Sequence, residues 1–203
     1  MATISHKTLT STQIHEPKGA DTAAVDKVYV ADGAGSGAWA KLDADSLTGT
    51  GNAFGAQLFH IRDQKSSADG GTFTSGSAQT RTLNTSVTNE ISGASLASNQ
   101  VTLPAGTYFI DGSAPALSVN NHQTYWYNVT DASTTLNGTV EQSTSAGAYA
   151  QTRSLIRGRF TIAAQKVFEL RHWCTTTQAT YGFGEGSAWG TSVYSDICIW
   201  KIA

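Results

Sequence analysis

The sequence has few charged residues. Only 14% of its 203 residues are Asp, Glu, Lys or Arg, against roughly a quarter in average globular proteins. Its 13 basic and 15 acidic residues give a formal net charge of −2. Such a balance provides no excess of positive charge that would attract nucleic acid or an anionic membrane surface, so we expect neither as a partner.

Long hydrophobic runs and cysteine are also scarce. No stretch of about 18 apolar residues occurs, so no membrane-spanning helix is predicted. The first ten residues lack the apolar core of a signal peptide, which predicts synthesis and folding in a cytoplasm. Cys174 and Cys198 are too few for a disulfide scaffold. Two reduced, buried thiols are favoured, and a single bridge stays open as the alternative.

Short strand-like segments fill the chain from residue 56 onwards. They show almost no helical periodicity, and they are rich in aromatic and β-branched residues and bounded by Gly, Asn, Ser or Pro. About ten strands joined by regular turns predict an all-β sandwich or barrel. The predicted strands are 56–63, 72–84, 90–96, 99–103, 107–114, 122–130, 135–142, 154–163, 166–174, 179–185 and 192–202.

Some of these strands are apolar on one face and others on both. In SLIRGRFTI (154–162), Ile156 and Phe160 share one face while Arg157 and Arg159 share the other, which is typical of a strand with one face on the core. The strands LFHI and SVYSDICIWKI instead carry apolar side chains on both faces. One face would pack on the core of the subunit, and a second subunit could cover the other. We therefore predict a trimer interface that contains Leu58, Ile197, Ile199 and Trp200.

The chain divides into three zones. Residues 1–42 form a polar arm, residues 43–55 a turn-rich hinge, and residues 56–203 the strand-rich head. The arm is too polar to form a core of its own, so we expect it to order when it docks on a partner. Its anchoring candidates are one apolar patch, which could add a strand to a sheet edge, and one Trp that could fill a pocket: Val28, Tyr29, Val30 and Trp39.

Motifs for catalysis and metal binding do not emerge from the sequence. GAGSG (33–37) lacks the Lys and the flanking strand and helix of a phosphate-binding loop. No Gly-x-Ser-x-Gly nucleophile motif occurs, and the five histidines form no ligand-spaced pair. We therefore expect no enzyme activity, no cofactor and no metal.

Aromatic residues of the head form one suggestive group. Saccharide sites commonly place aromatic faces beside amide and hydroxyl groups, and this sequence is rich in all three. Strand alternation buries either the pair Tyr125 and Tyr127 or the Trp between them. The competing interpretation places these aromatics in the core or in subunit contacts. The carbohydrate-binding candidates are Trp126, Trp173 and Trp189.

Three segments of the head resemble a known superfamily. LPAGTYFIDGSA (103–114), RGRFTIAAQKVFELRH (157–172) and VYSDICIWKIA (193–203) are similar to strands of the tumour necrosis factor and complement-type globular heads. The resemblance covers about three quarters of the chain. It implies a trimeric jelly-roll sandwich whose closing strand lies centrally in its sheet beside the trimer axis.

The arm carries a second resemblance, which covers the whole chain. HEPKGADTAAVDKVYVADGAGSGAW (15–39), followed by a head that contains FHIRDQKSSADGGTFTSG (59–76), looks like small fibre-like or decoration-like virion proteins of tailed phages. This resemblance implies a structural protein on the virion surface, made in the host cytoplasm and anchored to other virion proteins by the arm. The alternative function is a receptor-binding module whose head recognises host-surface carbohydrate.

Overall fold

The computed structural model describes residues 27–31, 37–41, 56–144 and 149–202. The chain forms two compact units, Met1–Thr50 and Gly51–Ala203, each of which is described here by itself. All regular elements within the described ranges are β-strands. No helix in those ranges is long and apolar enough to cross a membrane. The predicted hinge, 43–55, lies outside the described residues.

A β-hairpin forms within the first unit. Strand β1 (Lys27–Ala31) pairs antiparallel with β2 (Gly37–Lys41), with Tyr29 opposite Trp39. The two rings meet edge to face, with centroids 5.5 Å apart, which is a favourable aromatic geometry. The apolar patch around Tyr29 therefore forms a strand that pairs with a segment of its own chain. Its predicted addition to the sheet edge of a partner stays a prediction.

The second unit is a two-layer sandwich of antiparallel strands. Sheet I has the order β11-β8-β13-β3-β5, and sheet II has the order β10-β9-β12-β7-β6 with β4 also paired to β12. The strands are β3 (Gln57–Ser66), β4 (Gln79–Thr80), β5 (Thr85–Asn89), β6 (Ser95–Ala97), β7 (Gln100–Leu103), β8 (Gly106–Leu117), β9 (Asn120–Asn128), β10 (Ser133–Ser143), β11 (Gln151–Ile162), β12 (Lys166–Cys174) and β13 (Thr191–Lys201).

Strands that follow one another along the chain repeatedly change sheets. After β8 in sheet I, β9 and β10 lie in sheet II, β11 returns to sheet I, β12 lies in sheet II and β13 in sheet I. This is the winding of a jelly roll. The predicted all-β jelly-roll sandwich is confirmed. The predicted central place of the closing strand is seen too, because β13 lies between β8 and β3.

The core is apolar at one end of the sandwich and polar at the other. At the apolar end, Trp126 stacks on Phe168 with ring centroids 5.3 Å apart, beside the inward-facing Ile156 and Phe160. Further along the same strands, the buried positions change to hydroxyl and imidazole side chains. This polar end contains Arg81, His122, Thr124, Ser154, His172 and Ser195.

Two predicted strands are loops in the structure, and a third, 90–96, contains only the first two residues of β6. Residues 72–84 contain only the two-residue strand β4, and residues 179–185 contain no strand. The two loops contact each other instead. The Thr180 amide donates to Thr72 Oγ1 at 3.3 Å, and Phe73 forms an isolated bridge with the adjoining Gln178. Both segments carry the alternation of a strand, but glycines at positive φ, Gly76 and Gly184, interrupt the extended backbone.

The two cysteines lie in different sheets and are both free. Cys174 is buried on the core side of β12, where burial raises its pKa to about 11. Cys198 is only partly buried on β13. The favoured interpretation of two free thiols holds, its expectation that both are buried is wrong for Cys198, and the alternative of a bridge between them is wrong.

Candidate interaction surfaces

The outer face of sheet I carries a short apolar row. Leu58 of β3 lies opposite Trp200 of β13, and Trp200 lies opposite Phe109 of β8. The rings of Phe109 and Trp200 are tilted, with centroids 6.3 Å apart. All three side chains are partly exposed, because the alternate positions Phe59, Ile110 and Ile199 face the core instead. We call this outer surface the sheet I face.

Charged side chains surround the apolar row on the sheet I face. His60 Nε2 lies 2.6 Å from Asp196 Oδ1, and Arg62 Nε donates to the same oxygen at 3.1 Å. Burial alone would raise the pKa of Asp196, but these two hydrogen bonds hold it below the ordinary value. Arg157 donates to Asp111 at 2.7 Å beside them. The face therefore has an apolar row bordered by paired charges, as at subunit interfaces.

The predicted trimer-interface residues divide between the two sides of sheet I. Leu58 and Trp200 lie on the outer face, where a second subunit could contact them. Ile197 and Ile199 are fully buried in the core of their own subunit, so their assignment to an interface is wrong. The physical reason is the single-residue alternation of β13, which sends these two side chains inward. Phe109 is an outward-facing neighbour that the sequence reasoning missed.

The outer face of sheet II carries a ladder of aromatic and polar pairs. On neighbouring strands β9 and β12, Trp173 lies opposite Gln123, Tyr125 opposite Arg171, and Tyr127 opposite Glu169. These side chains are partly exposed, except that Glu169 is largely covered by its neighbours. We call this surface, Gln123, Tyr125, Tyr127, Glu169, Arg171 and Trp173, the aromatic face.

Two of the three carbohydrate-binding candidates remain accessible. Trp126 is 0% exposed and stacks on Phe168, so no saccharide can reach it and its candidacy is wrong. Of the two burial patterns left open for β9, the structure has the one that turns Tyr125 and Tyr127 outward. Trp173 lies on the aromatic face. Trp189 is far more accessible, at 85% exposed, and lies in the loop between β12 and β13.

Exposed rings gather where the β12–β13 loop meets the start of β11. Tyr149 is 71% exposed and contacts Tyr181 edge to face, with centroids 6.4 Å apart. The Glu185 amide donates to Gln151 Oε1 at 2.9 Å, which joins the loop to β11. Tyr149 and Tyr181 therefore form an aromatic pair in which Tyr149 is exposed and Tyr181 is partly exposed.

Backbone hydrogen bonds hold the β12–β13 loop against the β3–β4 loop. The Gly70 amide donates to Gly184 O at 2.8 Å, and the Phe183 amide donates to Gly71 O at 3.0 Å. A Cβ added at Gly70 would lie 2.6 Å from the Phe183 carbonyl carbon, so only glycine allows this approach. The loop that presents Trp189 is therefore braced by main-chain bonds.

Arg81 holds the β12–β13 loop from the interior of the sandwich. Its guanidinium donates to Ser195 Oγ, to the Pro115 carbonyl and to the Phe183 carbonyl, at 3.1–3.3 Å. It also stacks on the Phe183 ring, with Cζ 4.1 Å from the centroid. Burial lowers the pKa of Arg81 to about 9, so it stays charged at neutral pH. The buried Asp63 supplies nearby opposite charge.

Two buried histidines, His122 and His172, adjoin Arg81. His122 Nδ1 lies 2.9 Å from His172 Nε2, and His122 Nε2 lies 2.8 Å from Thr152 Oγ1. The sequence reasoning found no ligand-spaced histidines, because these two are 50 residues apart and meet only by strand pairing. Among the described residues, no group of three or more His, Cys, Asp or Glu side chains is placed to hold a metal ion.

This histidine pair is expected to make the head sensitive to mild acid. Burial lowers the pKa of His122 to about 4 and that of His172 well below its ordinary value, and the Arg81 charge lowers both further. Unfolded imidazoles titrate at about 6.5. Stability is therefore full above about pH 6.5 and falls toward pH 4, by about 2 kcal/mol or more, because the unfolded chain binds protons first.

Denaturant unfolding at pH 7 and pH 4.5 measures this loss. A chain with His122→Gln and His172→Gln should lose less stability over the same range, since Gln does not titrate. If the variant and the unmodified chain lost equal stability between pH 7 and pH 4.5, titratable groups other than the two histidines would account for the loss.

Comparisons with known proteins give structural likeness alone. No protein-family model matches the sequence, and no curated protein matches it either. Murine APRIL at pH 5.0 aligns with 12% identity and a TM-score of 0.47, over 73% of this chain and 100% of that chain. The globular domain of zebrafish complement 1qA protein aligns with 12% identity and a TM-score of 0.45, over 73% of this chain and 98% of that chain. The fold class rests on the strand order of the two sheets.

Proposed function

We propose that this chain is a non-enzymatic structural protein of a phage particle. In this proposal the head, 56–203, assembles as a homotrimer through the sheet I face, and the arm, 1–42, anchors it to other virion proteins. One observation carries the assembly: the row Leu58, Trp200 and Phe109 leaves large apolar side chains on an outer sheet face. Such a row is stabilised when another subunit covers it.

The charges on the sheet I face favour contact between like copies. Each copy presents both signs, through Arg62 and Arg157 and through Asp196 and Asp111. A surface with both signs can meet a rotated copy of itself without net repulsion. We infer three copies from the resemblance of VYSDICIWKIA to the closing strand of trimeric heads. That segment contains Trp200, which lies in the apolar row.

The hairpin in the arm supports the anchoring role. A single two-stranded hairpin is at best marginally stable in water. The side chains of Val28, Tyr29 and Val30 are all exposed in the hairpin, at 36–45%. A partner surface that covers them would stabilise the hairpin by removing apolar area from water. Docking through Val28, Tyr29, Val30 and Trp39 therefore stays a prediction of this proposal.

Native mass tests the assembly. Light scattering after gel filtration should give three times the 21.3 kDa of one chain for residues 1–203. The shorter chain 54–203 should also be trimeric, because the apolar row lies within the head. A stable monomer of 54–203 would contradict assembly through the sheet I face.

A separate experiment tests whether the chain is a component of the phage particle. Purified particles of the phage or prophage that encodes this chain should contain its peptides, measured by mass spectrometry. Deleting residues 1–42 should remove the head from the particles and leave the number of subunits in the purified head and the β-sheet circular dichroism of the head unchanged. Particles that lack the full-length chain would contradict the virion role.

A further inference from the structure

Arg171 is the centre of the aromatic face. Its Nε donates to Glu169 Oε2 at 2.9 Å, and its Cζ lies 3.5 Å from the centroid of the Tyr127 ring. An ion pair on one side and a ring beneath hold the guanidinium in one orientation. Its side chain is nevertheless 30% exposed. The charge is thus fixed in place and still open to solvent.

The polar neighbours of Arg171 have already satisfied one another. Glu169 Oε1 accepts from Gln100, and Glu169 Oε2 accepts from Thr80 as well as from Arg171. Burial alone would raise the pKa of Glu169, but these bonds hold it below its ordinary value. Among the described residues, neither terminal nitrogen of Arg171 has a hydrogen-bond partner. Both terminal nitrogens of this pre-oriented guanidinium can therefore donate to a ligand.

Aromatic rings lie on either side of this guanidinium. Tyr125 is directly opposite Arg171 in the register, and Trp173 is two residues further along β12. The Tyr125 hydroxyl donates to Gln123 Oε1 at 3.0 Å, while Gln123 Nε2 donates to the Gly138 carbonyl. These bonds fix the orientation of the Tyr125 ring. Because the aromatic face is on the outer side of sheet II, it stays accessible if copies assemble through sheet I.

We propose that the aromatic face binds an acidic saccharide. The two terminal nitrogens of Arg171 donate to one carboxylate of a uronic acid unit, the planar geometry that guanidinium and carboxylate share. The carbon–hydrogen faces of adjoining sugar rings pack on Tyr125 and Trp173. Aromatic walls with one oriented charge are the usual composition of a small-ligand site. Assembly into trimers would present three such sites and add avidity for a polymer.

Isothermal titration of the full chain with an oligogalacturonate tests this site. The acidic oligomer should bind, and the same oligomer with its carboxylates methyl-esterified should bind at least about tenfold more weakly, because the ester lacks the anionic partner. Arg171→Gln should lower the affinity for the acid at least about tenfold. Arg171→Lys should restore part of it, since the ammonium keeps the charge but not the planar donor pair.

Lys166→Gln is the matched control, because it removes one positive charge from the same strand outside the aromatic face. Its affinity should equal that of the unmodified chain. Tyr125→Leu keeps every charge and should weaken the acid and the ester alike. It therefore tests the site even if Arg171→Gln does not fold.

Several results would overturn the proposal. They are equal affinity for acid and ester, unchanged affinity in Arg171→Gln, and no binding of the acid at millimolar concentration. A lower native mass of Arg171→Gln would assign the aromatic face to subunit contact instead. Affinity is fitted per subunit with a short oligomer, so a monomeric native mass would contradict trimer assembly without changing this result.

Discussion

Replacing Trp200 with aspartate is expected to convert the proposed trimer into folded monomers. Trp200 lies at the centre of the apolar row, between Leu58 and Phe109, with its ring 6.3 Å from the Phe109 ring. In the proposed trimer the new carboxylate would be desolvated without a partner, and a large aromatic contact would be lost. Loss of a buried Trp at an interface costs about 2–4 kcal/mol, and the loss recurs at each copy of the interface.

Two further variants make the Trp200 result interpretable. Leu58→Asp changes the opposite member of the row and should also yield monomer. Ile199→Asp places a charge in the core of the subunit, so it should abolish folding rather than assembly. Glu141→Gln, a surface change on β10, should leave the native mass unchanged. Native mass by light scattering and β-sheet content by circular dichroism distinguish these outcomes, and an unchanged mass of Trp200→Asp would contradict the interface.

Replacing Arg81 with methionine is expected to destabilise the head by about 3–5 kcal/mol, the usual cost of removing one member of a buried charged network. The change leaves the Pro115 and Phe183 carbonyls without their donor and removes positive charge from near Asp63. Burial already raises the pKa of Asp63. The expected result is an unfolding midpoint shifted strongly to lower denaturant concentration, or failure to fold.

Lys166→Met is the control for Arg81, since it deletes a basic side chain from a surface ion pair with Asp131. Exposed pairs contribute about 0–1 kcal/mol, so its midpoint should change little. Both proteins are measured at one protein concentration, because association adds to apparent stability. Equal midpoints for the two variants would mean that the Arg81 contacts contribute no more than an exposed pair.

Alternation along single strands was enough to predict the fold class. Ile156 and Phe160 face the core and Arg157 and Arg159 face outward, as the pattern SLIRGRFTI predicts. The period of two is a local property of extended backbone, so it can be read without a partner strand. The predicted strand 166–174 coincides with β12 for the same reason.

The side of a strand that meets the core could not be read from alternation alone. In β13 both faces are apolar, and the choice between Ile199 and Trp200 depends on which face the opposite sheet covers. The same ambiguity affected β9, where Trp126 faces inward and its two tyrosine neighbours outward. The hydrophobic pattern identifies such a segment as a strand, but it does not determine which of the two faces packs on the core.

Contacts between distant segments were beyond the sequence reasoning. Arg81 meets Pro115, Phe183 and Ser195, which come from three other parts of the chain. The segments 72–84 and 179–185 were predicted as strands from their alternation, but in the structure residues 70–73 form backbone hydrogen bonds with residues 178–184. Strand β5 was missed because TSVTN (85–89) has one large apolar residue, Val87, and that residue is exposed.

The central position of β13 determines the order in which the sheet can be completed on the ribosome. β3 and β8 are synthesised long before β13, yet each pairs with β13 and neither pairs with the other. Until Thr191–Lys201 has emerged, both strands keep an unpaired edge, and sheet I cannot close. A chain released from the ribosome before that point exposes the unpaired edges of β3 and β8, which can pair with other chains and aggregate. Closure over so long a sequence separation also makes folding slow, and the emergence of β13 is the step that commits the head to its fold.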